Sequence, residues 1–442
     1  MSVQSLCPVC LRVLEARHEH RDGAVFLCRT CPEHGPFEEV IWRGLPAFDS
    51  WSRPKTAKAA PHRQTEAVHG CPRDCGICPN HEQHSCTVLL EITEACNLNC
   101  PVCFADSGGK ASFPPLEELT RHLSWIHEQV GDVVLQISGG EPTLYPELPA
   151  LVREAKRLFT SVQLNTNGLR AAEDPSLAGA LAEAGLSWVF LQFDGVTDAT
   201  YTALRGRPLL REKLAALDAF TAAGLPVILV PTLAAGVNDR ELGGLLRLAL
   251  EHAPAVRGLH VQPMTFSGRN RLAATARITL PEVLAALCEQ SDGRILPEHA
   301  TPPGCEHERC SFHCRYRLTP EGGLVPLRDE SCCTPIAASE GVSRAVETIR
   351  RSWGGAAGET PGASADPLAP PAPEDAFDAF IRKARAQTFS VTCMAFQDAR
   401  TVELGRLRGC CVLVFRPPNR LVPFCACNLT AEDGRTLYRA TE

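Results

Sequence analysis

Cys96, Cys100 and Cys103 stand as C-x3-C-x2-C in the stretch "EACNLNCPVCFA". Three thiolates so spaced can hold three irons of a [4Fe–4S] cube and leave the fourth iron open to a small ligand, as an open catalytic metal site does. The bland alternative is a closed structural cluster or zinc site whose last ligand comes from elsewhere, such as Cys86. Further along, "SGGEPT" places Gly139 and Gly140 before Glu141, "NTNG" supplies Asn165 and Asn167, and "FDG" followed by "YTALRGR" supplies Asp194 and Arg205. Glycines permit close backbone approach, a carboxylate accepts from an ammonium group, and amides hydrogen-bond a ribose or a carboxylate, which a guanidinium can clamp. Taken singly, each is also ordinary turn or cap chemistry.

What lifts them above that is where they fall. Apolar strand-like runs ("TVLLEIT", "VVLQIS", "SVQLNTN", "SWVFLQFDG", "PVILVPTL", "GLHVQPM") alternate with helical patterns from residue 87 to about 295. That alternation predicts parallel βα units, and six of them make an open, partial (βα)6 barrel of the α/β class. The chemistry-bearing residues then sit on the C-terminal ends of consecutive strands, the functional face of such barrels.

The 22 cysteines are grouped. With no readable signal sequence the chain is expected in the cytoplasm, where grouped cysteines are metal ligands sooner than disulfides. Cys7, Cys10, Cys28 and Cys31 ("CPVC" and "CRTC") predict a closed four-thiolate site for zinc or a single iron. Cys71, Cys75, Cys78 and Cys86 predict a fully ligated auxiliary [4Fe–4S] cluster, with zinc as the alternative. Cys305, Cys310 and Cys314, with Cys332 or Cys333, suggest another cluster. Cys393, Cys410, Cys411, Cys425 and Cys427 are of open role, and Cys288 stands alone in a helical pattern as a buried thiol. "CRYRLTPEGGLVPLRDESCC" and "CCVLVFRPPNRLVPFCAC" share one plan and read as hairpins that bring distant cysteines together.

The expected organisation is a cysteine module at 1–50, a cluster segment at 67–86, the barrel at 87–295, a second cluster segment at 296–351, an Ala/Gly/Pro-rich linker at 352–374 and a cysteine-rich segment at 375–442. The formal charge of −7 and the lack of a basic block argue against a nucleic-acid partner. The longest apolar stretch, "LPVILVPTLAAGV", is about 13 residues against the roughly 20 a spanning helix needs.

With Cys96, Cys100 and Cys103 after the first strand and Gly139, Gly140 and Glu141 after the second, residues 87 to about 275 resemble the radical S-adenosylmethionine (SAM) enzymes. The resemblance implies that the open iron binds the amino and carboxylate groups of SAM. It also implies that the reduced cluster cleaves SAM to a 5′-deoxyadenosyl radical, which takes hydrogen from an unactivated carbon. Gly139, Gly140 and Glu141 would hold the methionine amino group, with Asn165, Asn167, Asp194 and Arg205 as further cofactor contacts. The run "HGCPRDCGICPNHEQHSC" before the core is similar to the subfamily of class D radical SAM methyltransferases, which act on a pterin precursor, and archaeal tetraether lipid synthases. That similarity implies one or two auxiliary [4Fe–4S] clusters, C-methyl transfer to a small heterocyclic acceptor from a methylenetetrahydrofolate donor, and a reductant such as ferredoxin or flavodoxin. Carbon–carbon coupling of lipid chains, with peripheral membrane contact, is the second reading, and peptide modification a third. A zinc-ribbon adaptor is the non-enzymatic alternative, which the six βα units oppose.

Overall fold

The computed structural model describes residues 2–53, 63–108, 112–272, 276–319, 322–327, 338–354 and 387–439. Cys332, Cys333 and residues 355–374 of the proposed linker lie outside these.

Strands β1 (Ser2–Leu6), β2 (Val13–Arg21), β3 (Ala24–Cys31) and β4 (Gly35–Arg43) form an antiparallel sheet in sequence order. The buried Arg29 joins this ribbon to the rest of the chain by donating to the carbonyls of Leu6, Ala399 and Arg400.

The barrel follows the predicted alternation. Its strands are β5 (Thr87–Glu91), β7 (Val134–Ser138), β8 (Ser161–Thr166), β9 (Trp188–Gln192), β10 (Val227–Val230) and β12 (Val256–Pro263), with the short β6 (Val102–Cys103) and β11 (Thr232–Leu233) between them. The six long strands pair in parallel in the order β5-β7-β8-β9-β10-β12. Outside them run α1 (Leu116–Val130), α2 (Leu148–Leu158), α3 (Leu169–Glu173), α4 (Ser176–Glu183), α5 (Asp198–Arg205), α6 (Leu210–Ala222), α7 (Leu242–Glu251) and α8 (Leu280–Gln290). Their apolar stripes make the main core; in α2, Leu148, Leu151, Val152 and Ala155 face inward at helical spacing. The helix α8 opens with Pro281 and a Thr279/Glu282 capping box, which satisfies its first amide groups.

The barrel sheet does not stop at six strands. β13 (Arg269–Asn270) pairs with β6, and the C-terminal residues supply β14 (Ser311–Leu318), β15 (Leu324–Pro326), β16 (Thr388–Met394), β17 (Val412–Arg416) and β18 (Arg420–Pro423). β16 joins β12 and β17 joins β5, both in parallel, while β14 and β18 pair antiparallel on the outer sides. The two look-alike cysteine segments are hairpins, β14/β15 and β17/β18, at opposite ends of the sheet. Each thereby covers an edge that would otherwise present unpaired backbone. Helix α9 (Ala338–Trp353) lies against the N-terminal ends of the strands, its Val342 and Val346 packed with Cys86, Trp188, Phe190 and Ile228. Two short helices, α10 (Leu404–Arg408) and α11 (Phe424–Cys427), complete the described elements. No helix among the described residues is long and apolar enough to cross a membrane.

Candidate active site

Cys96, Cys100 and Cys103 lie in the loop that leaves β5, and β6 begins within it. Arg269 on β13 staples this loop by donating to the carbonyls of Cys100 and Ser107 and to the carboxylate of Asp106. The glycine pair after β7 crosses beneath it. A Cβ on Gly139 would collide with the carbonyl oxygen of Thr93, and one on Gly140 with that of Ala95. The backbone of Gly140 donates to Thr93 (2.7 Å) and that of Glu141 to Ala95 (2.8 Å), so the loops meet main chain to main chain.

Glu141 is a buried node between strand ends. Its Oε1 accepts from the Thr143 amide and hydroxyl and from the Thr166 hydroxyl; its Oε2 accepts from the Asn167 amide at 2.8 Å. Oε2 therefore keeps a lone-pair direction for a ligand. Asn167 donates from Nδ2 to Asn97 in the cysteine loop (2.8 Å), and Asn165 lies between Gln163 and Gln136.

Asp194 follows β9, and Arg205 ends α5 opposite it. They form a bidentate ion pair at 2.7 and 2.6 Å, buried on both sides. Arg205 also donates to the Val102 carbonyl and the Thr232 hydroxyl, and Asp194 accepts from the Thr232 amide. Asp194 is fully buried and does not line the cavity, because its oxygens are spent on Arg205 and Thr232. It positions Arg205 from behind the cavity wall. Burial pulls the Arg205 guanidinium down, but the charge and hydrogen bonds of Asp194 more than restore it, so the guanidinium stays charged.

One large cavity of about 980 Å³ gathers these groups. The three cysteines, Gly139, Gly140, Glu141, Asn165, Asn167 and Arg205 all line it. Burial pushes the Cys96 thiol up to about 11, with Glu141, Cys100 and Cys103 adding to it, and burial likewise raises Cys100 against the pull of Arg205. Thiols raised in this way become good ligands once a cationic group displaces their protons. That donor set fits an iron–sulfur cluster.

Residues 90–249 match the radical SAM superfamily, and residues 1–43 match the HMPTM N-terminal zinc ribbon domain. The chain is 31% identical to 7,8-dihydro-6-hydroxymethylpterin dimethyltransferase of Methanocaldococcus jannaschii, across 96% of this chain and 92% of that protein. The chain belongs to the radical SAM family that contains this dimethyltransferase. It is also 29% identical to the GTP 3′,8-cyclase of Paenarthrobacter nicotinovorans over 57% of its own length and 71% of the relative's. The solved structure of Streptococcus suis SuiB bound to the precursor peptide SuiA aligns over 48% of this chain and 46% of its own, at 17% identity and a TM-score of 0.40.

Within this radical SAM protein the remaining cysteines group differently from their sequence order. In the N-terminal ribbon, Cys7, Cys10, Cys31 and His34 bring their donor atoms within 4.8 Å of one another, and Cys28 is not among them. Cys28 and Cys31 both lie on β3, three residues apart, so alternation turns them to opposite faces. Cys28 instead meets Glu38 and Arg21. The second knuckle is "CPEH", a C-x2-H turn that repeats the plan of "CPVC" and whose histidine was the missed signal. His34 lies 3.4 Å from Cys31; although burial opposes it, that hydrogen bond draws Cys31 down to about 6.

Cys86 is likewise not with Cys71, Cys75 and Cys78. It precedes β5 and sits with Cys305 and Cys411, all three buried and within 4.8 Å. Cys71 and Cys75 are hydrogen-bonded neighbours with Cys78 nearby, and the Cys75 amide donates to the Tyr438 hydroxyl at 2.8 Å. Cys305, Cys310 and Cys314 are dispersed. Cys310 lies 3.2 Å from a nitrogen of the buried Arg406, near Cys410 and Cys425, whereas Cys314 points from β14 into the apolar core beside Tyr316 and Cys393. Cys310 closes the short turn Glu308–Cys310 ahead of β14, whereas Cys314 lies on the strand itself and is buried in the core, so the two thiols belong to different surroundings. Cys333, proposed as a ligand with them, lies outside the described residues.

Two further site residues were not foreseen. Lys213 on α6 is fully buried; its Nζ donates to the Asn167 carbonyl and to Gln192 Oε1 at 3.0 Å, and burial lowers it to about 8. Its place on the stripe with Ala216, Leu217 and Phe220 was legible as a lysine on an apolar helix face. His260 on β12 lines the cavity between Phe190 and Trp353, with ring centroids 5.3 and 6.0 Å away, and its Nδ1 meets the Thr392 hydroxyl at 2.7 Å.

Burial, with the charge of His313 adding, lowers His260 to about 4. The folded value is below the unfolded one of about 6.5, so the unfolded chain takes up a proton that the folded chain refuses. Stability from this group is whole above about pH 6.5 and falls away as pH drops towards 4. Between pH 7 and 5 the loss is about 2 kcal/mol. Urea unfolding of the parent and of His260→Gln across this range should show the acid-side loss shrink by that amount in the variant; equal slopes would disprove it.

Proposed function

We propose that this protein cleaves SAM at a [4Fe–4S] cluster held by Cys96, Cys100 and Cys103 and methylates a carbon of a pterin-like heterocycle. The observation that carries the reading is that a single cavity runs from those cysteines to the ring box of Phe190, His260 and Trp353. Such a box takes a planar heterocycle by offset and edge contacts. The M. jannaschii relative is named for dimethylation of 7,8-dihydro-6-hydroxymethylpterin, which has that shape. The cavity wall also carries Gln136, Gln192 and Gln262, whose remaining amide groups hydrocarbon chains could not satisfy, so coupling of lipid chains is disfavoured.

When bound, SAM supplies the hydrogen-abstracting 5′-deoxyadenosyl radical. The free lone pair of Glu141 Oε2 and the Gly139–Gly140 backbone orient its methionine end, and Asn165 and Asn167 face the rest of it. Arg205 lies against Cys100 and holds β6 in place. Lys213 fixes the Asn167 carbonyl from behind. His260, neutral at neutral pH, is able to hydrogen-bond the acceptor ring without bringing a charge into the box. Cys71, Cys75 and Cys78, and separately Cys310, Cys410 and Cys425, are the places for one or two auxiliary [4Fe–4S] clusters. The ribbon's Cys7, Cys10, Cys31 and His34 suit zinc or a single iron. A small electron carrier such as ferredoxin or flavodoxin is the reductant, and the cytoplasm is the compartment that keeps so many thiols reduced.

The test is anaerobic turnover of the reduced, reconstituted protein with 7,8-dihydro-6-hydroxymethylpterin, methyl-labelled SAM and labelled methylenetetrahydrofolate. The expected result is 5′-deoxyadenosine together with a pterin carrying one or two added methyl groups labelled from the folate. Formation of 5′-deoxyadenosine with an unchanged pterin would remove the acceptor from the proposal.

A further inference from the structure

Cys86 and Cys411 each stand one residue before a strand, β5 and β17, and these strands run in parallel. They mark the N-terminal end of the barrel, whereas Cys96, Cys100 and Cys103 follow the C-terminal end of β5. Five strand residues separate the two levels by about 16 Å. The Cys86 amide donates to the Cys411 carbonyl at 2.9 Å, and Cys305 comes in from the segment before β14. Helix α9 closes the group from below through Val342 and Val346. Cys86 and Cys305 line the same cavity as the radical-forming cysteines.

The spacing of the sulfurs separates two kinds of site. Thiolates that share one tetrahedral ion with metal–sulfur bonds of about 2.3 Å stand about 3.8 Å apart. Thiolates on a cube each bind a different iron and are spread wider. Among the described residues, the ribbon set and the Cys86, Cys305 and Cys411 set bring their donors within 4.8 Å; Cys96, Cys100 and Cys103 do not. One protein thus shows both spacings, and the floor of the cavity has that of a single ion. The three thiols are also mutually hydrogen-bonded. Cys86 bonds to both Cys305 and Cys411, and Cys305 bonds to Cys411. Glu306 adds negative charge beside them, so a cation there relieves both the repulsion and the desolvation.

We propose that Cys86, Cys305 and Cys411 bind one thiophilic divalent ion, Zn²⁺ or Fe²⁺, with the fourth coordination position open to the cavity. A three-ligand site with an open face is the arrangement of catalytic ions, and a closed four-ligand site that of structural ones. The open face here looks into the space assigned above to the acceptor. The location rests on that reading; the metal site itself does not.

The full-length protein, with its clusters reconstituted, is exchanged with Co²⁺ and read by its sulfur-to-cobalt charge-transfer and d–d bands. Cys305→Ser and Cys411→Ser are each expected to bind one equivalent of thiolate-ligated Co²⁺ fewer than the parent and to keep the same iron content. A Cys10→Ser variant, which disables the ribbon and leaves the floor intact, should retain a Co²⁺ signal whose d–d bands shift on adding azide, as an open position requires. Equal cobalt stoichiometry in the parent and the floor variants, loss of about four irons in place of one ion, or azide-insensitive bands would overturn the proposal. Formation of 5′-deoxyadenosine, measured alongside, reports on the radical SAM reading separately, since Cys305→Ser leaves Cys96, Cys100 and Cys103 untouched.

Discussion

Replacing Cys96, Cys100 and Cys103 together with alanine lowers 5′-deoxyadenosine formation to below about one per cent of the parent, since loss of a mere outer partner of a metal ligand already costs on the order of 10–100-fold. The same protein loses about four irons per chain, because three thiolates hold the cube and no other cysteine among the described residues is placed to substitute. Cys86, the nearest alternative in sequence, is committed to Cys305 and Cys411 at the opposite end of the barrel. Cys288→Ala is the control. That thiol lies on α8, away from every cysteine group proposed here to bind metal, and its loss should leave iron content and SAM cleavage unchanged. Full activity in the triple variant would remove these cysteines from the reaction.

The second large effect lies in the Asp194–Arg205 pair. Asp194→Ala strands a fully buried guanidinium and should lower unfolding stability by about 3–5 kcal/mol. It should also reduce iron retention, because Arg205 holds the Val102 carbonyl within the cysteine loop and lies beside Cys100. Arg205→Met strands the carboxylate to similar effect. Combined with Asp194→Leu, it removes both charges and should recover a large part of the stability, since apolar replacements of a buried pair are often near neutral. Urea unfolding of the two single variants and the double variant measures the coupling. Strictly additive losses would show that each residue acts through other contacts.

Much of the catalytic end was legible from residue order, because its determinants are local. The alternation of apolar runs and helical stripes specified six parallel strands, and each motif follows its own strand by a few residues, so placing the strands placed Cys96, Gly139, Glu141 and Asn167 on one face. The glycines at 139 and 140 were readable for the same reason: a close approach of two loops leaves no room for a side chain.

Local order failed where partners are far apart. Cys28 falls within a C-x2-C spacing, yet it lies on a strand, and the period of two turned it away from Cys31 and left the place to His34. Only the fold sets Arg205 against Asp194. Strands β16 and β17 come from the C-terminal segment, beyond the regular βα pattern, and only pairing with β12 and β5 shows that they extend the barrel sheet.

The amino-acid sequence by itself thus determined the chemistry of this protein: an incomplete three-cysteine site after a strand, with a glycine-glutamate turn beside it. Only the tertiary structure decided which distant cysteines share a site. Cys86, Cys305 and Cys411 are separated by more than two hundred and by more than one hundred residues. Sheet pairing brings Cys411 to Cys86, and no spacing rule encodes a contact that long-range strand order creates.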